Sequence, residues 1–159
     1  MRTMTDVLDP AAAPAGVRQL ATFVVDGLLC GVDVLTVQEV IRHQTMTPVP
    51  CAPRVVEGLI NLRGQIVTAI DMRRRLGLPE RPDALLSMNV VVRTAEGVVS
   101  LLVDEIGDVV EVKPDWFEVT PDTIGATVRT VFDGVYKLSG RLLFIVDVER
   151  IASVEGLGD

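Results

Sequence analysis

The chain has 159 residues, with 15 basic against 22 acidic side chains and a hydrophobic fraction of 48%. That length suits one domain, or two small ones sharing a core, and needs neither metal nor disulfide to hold together. A net charge of −7 argues against a binder of nucleic-acid backbones. No apolar run reaches the roughly 18 residues of a membrane span, and a single histidine leaves little acid–base machinery.

Within the apolar set, 28 residues are valine and 6 are aromatic. A β-branched side chain is stiff at χ1 and packs well on a pleated surface, so this bias predicts a β-rich fold. Residues 1–17, small and proline-interrupted, are expected to be a flexible leader, and they lack the apolar stretch of a secretion signal. LATFVV (20–25), Asp26-Gly27 and LLCGVDV (28–34) read as two strands around a tight turn, because Asp-Gly tolerates positive φ. Val37, Val40 and Ile41 continue an apolar face. Three prolines make TMTPVPCAP (45–53) a loop, and Pro53 suits the first turn of a short helix over RVVEGL. QIVTAID (65–71) is a strand. MRRRLG (72–77) is a short helix stopped by Gly77 and Pro79, with Arg73, Arg74 and Arg75 on its solvated face.

A polar stretch, LPERPDA (78–84), opens the second half. MNVVVRTAEGVVSLLVDEI (88–106) reads as strand, turn at Glu96-Gly97 and strand, followed by VVEV (109–112). KPDWFEVTPDTIG (113–125) is loop-rich. RLLFIVDV (141–148) is a strand, and ERIASVE forms a short C-terminal helix.

The two halves repeat one another. GLINLRGQIVTAIDMRR (58–74) and GVYKLSGRLLFIVDVER (134–150) both fit Gly-x3-Leu-x-Gly-x6-Asp-x2-Arg, at an offset of 76. Upstream, GVDVLTVQEV (31–40) aligns with SLLVDEIGDV (100–109) at an offset of 69, matching Val34 with Val103 and Glu39 with Asp108. Each half then holds five short strands, which suits a small closed barrel without exposed edges. Asp71 and Asp147, ending their strands, are most simply N-caps of the helices that follow.

Few residues offer chemistry. Asp104, Glu105, Asp108 and Glu111 lack the alternating ligands and glycine turn of an oxygen-donor metal loop, and are expected to form a solvated sheet edge. No glycine loop has phosphate-cradling spacing, so neither a cofactor nor a metal is expected. Cys30 and Cys51 sit in no metal or redox spacing and read as reduced thiols of a cytosolic protein. His43 has no nucleophile in company and is expected to be an ordinary loop residue. What stands out is Asn61-Leu62-Arg63-Gly64, a polar turn between apolar strands. Arg63 can bond a carboxylate through two donors, and Glu39 is its natural partner. The two form either an interface element or a surface pair of small energetic weight.

At these residues the chain resembles the CheW family, adaptors that couple chemoreceptors to the histidine kinase CheA. The resemblance covers about 20–153. It is carried by F-V-V-D-G-x-x-C-G-V-D-V, V-Q-E-V-I (37–41), P-x4-G-L-I-N-L-R-G (53–64) and L-S-G-R-L-L-F-I-V-D. It implies an all-β fold with short helices: two SH3-like five-stranded β-barrel subdomains packed around a shared core. Within a domain of 18–156, the first would span about 18–80 and the second about 88–152. It implies a non-enzymatic cytoplasmic adaptor at receptor arrays on the inner membrane, binding no nucleic acid and inserting into no membrane. Its partners would be the SH3-like regulatory domain of CheA and the cytoplasmic tip of methyl-accepting chemoreceptors. Glu39 and Arg63 match the family's acidic and basic positions tied to assembly, with Asn61, Leu62 and Gly64 fixing the turn. Val37 and Val40 would lie near the partner-facing edge, and Asp108 with Val109 towards the receptor groove. The alternative is an SH3-like protein-binding module in another kinase-linked pathway. A proline-peptide reader would need an aromatic-lined groove, which six scattered aromatics do not supply.

Overall fold

A computed structural model describes residues 17–82, 85–121, 125 and 129–153; the expected leader, apart from Val17, lies outside them. Strands β1 (Arg18–Val25) and β2 (Leu28–Asp33) form the first hairpin. Its turn holds Asp26 and Gly27 at φ 47° and 80°, the positive values that Asp-Gly accommodates. A 3-10 turn over Val34–Thr36, capped by the Asp33 side chain, leads to β3 (Val37–Ile41). Strands β4 (Val56–Leu62) and β5 (Gln65–Asp71) form the next hairpin, and helix α1 (Met72–Arg75) follows at once. The second half runs β6 (Met88–Thr94), β7 (Gly97–Val103), β8 (Glu105–Val112), a 3-10 turn (Pro114–Trp116) and β9 (Phe117–Glu118). It ends with β10 (Phe132–Leu138), β11 (Arg141–Val146) and helix α2 (Val148–Ala152).

The helix expected over RVVEGL does not form. Arg54 and Val55 lie in a turn closed by Val56 N–H donating to the Pro53 carbonyl at 2.9 Å, and Val56 opens β4. Two adjacent β-branched valines favour the extended chain there over a helical turn.

Two sheets result. The first has the order β3-β6-β7-β5-β4 and the second β8-β1-β2-β11-β10-β9. The contiguous subdomains expected over 18–80 and 88–152 are therefore not how the strands divide. Hairpin β1–β2 belongs to the second sheet, and hairpin β6–β7 to the first. The strand after each hairpin crosses over: β3 pairs with β6, and β8 pairs with β1. Each sheet then closes through a parallel pair, β2 with β11 and β5 with β7. Parallel strands need a long connection: α1 and β6 lie between β5 and β7, and the whole first sheet lies between β2 and β11.

The repeat is exact in register. Cys30 lies opposite Phe144 in one parallel pair and Val99 opposite Thr68 in the other, so the offsets of 69 and 76 hold together. The bulge between Val56 and Gly58 recurs between Phe132 and Gly134. The glycines have a steric reason: a Cβ on Gly58 would sit 2.7 Å from the Thr47 carbonyl oxygen, and one on Gly134 would run into the Phe117 ring. In each sheet a short crossing segment presses onto the hairpin at that point. Asp71 and Asp147 cap their helices, accepting from the Arg74 and Arg150 amides.

One apolar core is shared between the sheets. Phe23, Val32 and Phe144 of the second meet Val37, Ile70, Val92 and Leu101 of the first, with Met72, Leu76 and Ile151 from the helices. A smaller cluster around Leu20, Leu143 and Ile145 fills the second sheet alone. The fold is thus mostly β, with two barrel-like sheets on a common core as expected.

Candidate functional site

The turn between Leu62 and Gln65 is built by its two central residues. Arg63 and Gly64 stand at φ 53° and 88°, the pattern of a type I′ hairpin turn, whose twist matches the flanking strands. A non-glycine residue resists positive φ, so local bonds must hold Arg63 there. Asn61 supplies one: its Oδ1 accepts from the Gly64 amide at 2.9 Å. Arg63 supplies the other. Its Nη1 and Nη2 donate to Glu39 Oε2 and Oε1 at 3.0 and 3.1 Å, a fork on a fork.

Glu39 sits on β3 and Arg63 beyond β4, the two outer strands of the first sheet, so the pair joins the ends of that sheet. The Arg63 side chain is 81% exposed while that of Glu39 is 17% exposed. A carboxylate half-sunk against the strand anchors a guanidinium held out in solvent. Exposure keeps the pair's stabilising effect to about 0–1 kcal/mol, yet the fork fixes where the charge stands. Leu62 is half-buried beside it. Ile66, which the sequence did not single out, lies opposite Asn61 across the hairpin and is 60% exposed. Its alternation with buried Val67 in QIVTAID was the signal for it.

The remaining candidates disperse. Val37, expected near the partner-facing edge, is a correction: it is 2% exposed and packs in the shared core. It follows the 3-10 turn that redirects the chain, and a bulge between Val37 and Glu39 shifts the alternation. Val40 is half-buried and packs against the core rim. Asp108 is exposed and Val109 half-buried, both on β8 in the second sheet. Asp108 occupies the place in that sheet that Glu39 holds in the first, with Ser139 where the first has Arg63.

A second polar centre was read wrongly from the sequence. Asp104, expected on a solvated edge, is buried, and so is Arg73, expected on a solvated helix face. Arg73 Nε and Nη2 donate to the Asp104 carboxylate at 3.0 and 2.6 Å, and Arg81 Nε donates at 3.3 Å. The Asp26 amide donates to the same carboxylate at 2.7 Å. Burial pushes the Asp104 carboxyl up, but the hydrogen bonds and the Arg73 and Arg81 charges outweigh it and hold the group below the usual carboxylate range. Arg74 is also engaged, with Glu57 at 2.7 Å and Glu80 at 3.1 Å. Glu105 and Asp108 are exposed as expected of a solvated edge.

Elsewhere, His43 Nδ1 lies 3.2 Å from Ser87 Oγ, beside a cleft of about 400 Å³ bounded by Arg74, Arg81, Leu85 and Leu86. Burial pushes the Cys30 thiol up to about 12, while Cys51 is exposed and unbridged. Among the described residues no three His, Cys, Asp or Glu side chains gather as a metal ion would require. The arrangement can offer shaped, charged contact.

Comparison with known proteins agrees with this architecture. The CheW-like domain model matches residues 19–155. The chain is 31% identical over 136 residues to the chemotaxis protein CheW of Rhizobium meliloti (strain 1021), covering 86% of this chain and 88% of that protein. It is 29% identical over 143 residues to the chemotaxis protein CheW of Treponema pallidum (strain Nichols), covering 87% and 84%. The crystal structure of scaffolding protein TtCheW from Thermoanaerobacter tengcongensis superposes with a TM-score of 0.73 at 28% identity, covering 81% of this chain and 88% of that one. This duplicated β fold, with the Asn-Leu-Arg-Gly turn at its β4–β5 hairpin and matched over nearly its whole length, belongs to the CheW-like domain family.

Proposed function

We propose that this chain couples chemoreceptors to the histidine kinase CheA, holding the kinase's SH3-like regulatory domain on one surface and a receptor's cytoplasmic tip in a groove between its two sheets. Members of the family are named chemotaxis and scaffolding proteins, and the chain is a scaffold rather than an enzyme. Among the described residues no helix is long and apolar enough to cross a membrane. On this reading it meets the inner membrane only through its receptor.

The observation that carries the reading is the Arg63–Glu39 fork. Interfaces draw much of their affinity from a few anchors, arginine prominent among them, and affinity rises when an anchor is already held in its bound geometry. Arg63 meets both conditions, with Ile66 beside it as apolar contact area. Asp108 and Val109, on the other sheet, are assigned to the receptor side. A kinase on the first sheet and a receptor in the groove against the second can then bind at once, which coupling requires.

Co-sedimentation of the purified protein with receptor-bearing membranes and CheA tests this. Arg63→Glu and Glu39→Arg should each reduce kinase recovery about tenfold or more, the scale of a lost hot spot, and the double exchange should restore part of it. Full recovery with both single variants would remove Arg63 and Glu39 from the site.

A further inference from the structure

We propose that Asp104 is a positioning residue that locks the first sheet against the second, so that the two partner surfaces act as one rigid body. This rests on the adaptor reading above, in which the kinase contacts the first sheet and the receptor lies in the groove against the second.

Asp104 is the single residue between β7 of the first sheet and β8 of the second. Everything it holds lies on one side or the other of that boundary. Its amide donates to the Val24 carbonyl on β1 at 2.9 Å, and its carboxylate accepts from Asp26 in the β1–β2 turn. Both contacts bind it to the second sheet. The same carboxylate takes the fork of Arg73 from α1, the continuation of β5, and so binds it to the first. Arg73 also approaches Asp26 at 3.7 Å and donates to the Pro79 carbonyl at 3.1 Å, tying in the segment between α1 and β6.

The shared apolar core holds the sheets together, but burial is non-directional and tolerates sliding. A buried fork has fixed lengths and angles and does not. Buried ion pairs contribute little net stability against an apolar substitute; their best-attested use is to select one arrangement over its neighbours. Asp104 also lies four positions before Asp108 on the strand that carries the second partner surface, while Arg73 sits behind the hairpin that carries Arg63. A shift at Asp104 moves one surface against the other.

The test needs a readout that a general loss of stability would not mimic. In a Cys51→Ser background, Gln65→Cys and Arg141→Cys place spin labels at equivalent exposed positions of the two sheets, and the buried Cys30 stays unlabelled. The parent should give one narrow distance distribution, and Asp104→Asn a broader one with an unchanged circular dichroism spectrum. In assembled receptor–CheA complexes, Asp104→Asn should leave binding of the isolated CheA regulatory domain unchanged. Receptor-dependent stimulation of CheA autophosphorylation should fall about tenfold, within the usual range for coupling between two sites. An equally narrow distribution in Asp104→Asn overturns the lock, and undiminished stimulation overturns its role in coupling. A parent protein that supports no stimulation defeats the adaptor reading, while the distances still decide the lock. If Asp104→Asn does not fold, Arg81→Gln removes one contact and leaves the fork. It should broaden the distribution less, and no broadening there counts against the proposal.

Discussion

The chain contains the same junction twice, and the two copies have diverged in charge and in their turns. In each, the helix after the closing hairpin faces the turn of the other sheet's first hairpin. At the first junction Arg73 reaches Asp26 through the buried Asp104. At the second, Glu149 stands where Arg73 does, and its carboxylate accepts directly from the Ala95 amide at 3.0 Å. The residue equivalent to Asp104 is Leu35, 53% exposed on a 3-10 turn. The hairpin tips differ likewise: Arg63 forks onto Glu39, whereas its counterpart Ser139 faces a sheet whose counterpart of Glu39 is Asp108. The bulges, the glycines under the crossing segments, the helix caps and the parallel registers recur in both halves, while the hairpin turns differ: Asp26 and Arg63 stand at positive φ and their counterparts Ala95 and Ser139 do not. Duplication kept the pairing geometry, and charge and turns were varied on top of it.

The sharpest way to break this comparison is at the crossovers. Asp104→Ala takes the buried carboxylate away from Arg73 and Arg81, leaving them, among carboxylates, only the longer approaches to Asp26 and Asp71, and should cost about 3–5 kcal/mol. Leu35→Ala should stay within about 0.5 kcal/mol. Urea unfolding curves of both variants measure this, and equal midpoints would make the two junctions energetically alike. The same carboxylate sets a pH dependence. Its folded pKa is lowered by Arg73, Arg81 and the Asp26 amide against the effect of burial, with the Asp26 and Asp71 carboxylates also near Arg73. The unfolded chain therefore binds the proton more readily. The stabilisation is complete above the ordinary value of about 4 and fades as pH falls through the lowered folded value. Acid titration of stability should show a flatter slope below about pH 4 in Asp104→Asn than in the parent.

Next in size are the glycines under the crossing segments. Gly58→Ala and Gly134→Ala should each cost about 1–3 kcal/mol through overpacking. Gly134 should be the worse, because its Cβ would meet both the Phe117 ring and the Glu118 carbonyl at a φ of +156°. Gly140→Ala meets nothing within 4 Å and has only its φ of +82° to oppose it, so about 1 kcal/mol is expected. Thermal midpoints should rank the three in that order. The caps should be alike in the two halves: Asp71→Ala and Asp147→Ala each cost about 1 kcal/mol, and a large inequality would show that Asp71 owes more to its neighbouring arginines than to its cap.

The smallest effect is at the hairpin tips. A double-mutant cycle on Glu39 and Arg63 should give a coupling of no more than about 1 kcal/mol. Ser139→Arg, which supplies Asp108 with the missing partner, should gain less still. The assembly defect predicted for Arg63→Glu would then be out of all proportion to its effect on folding.

Strands and turns were legible because they are local. Asp26-Gly27 and Arg63-Gly64 announce their hairpins, and the repeat identified the equivalent positions of the two halves. The division into sheets was not legible, since β3 and β8 look the same whichever hairpin they join. Arg73 and Asp104 were misread for a related reason. A run of three arginines and a run of carboxylates each look solvated alone, and only a contact 31 residues apart buries them together. The visible hint was that Asp104 directly follows Leu101, Leu102 and Val103, all fully buried. Val37 was legible as part of an apolar face, and only the place implied by the family resemblance, at the partner-facing edge, disagrees with its burial. The Glu39–Arg63 pairing, by contrast, came from chemistry alone: one exposed fork and one nearby carboxylate.

The crossed connectivity has a consequence for how the protein is made. Strand β2 has its parallel partner in β11, so the second sheet begins at Arg18 and is not complete until Val146 exists. On a ribosome adding about 5–20 residues per second, the first hairpin waits on the order of ten seconds with an unpaired edge rich in valine and leucine. Such edges invite pairing with other chains. The first sheet, closed by β7, can form well before. The hairpin made first is thus among the last to have both its edges paired: β1 waits for β8, and β2 for the final strand.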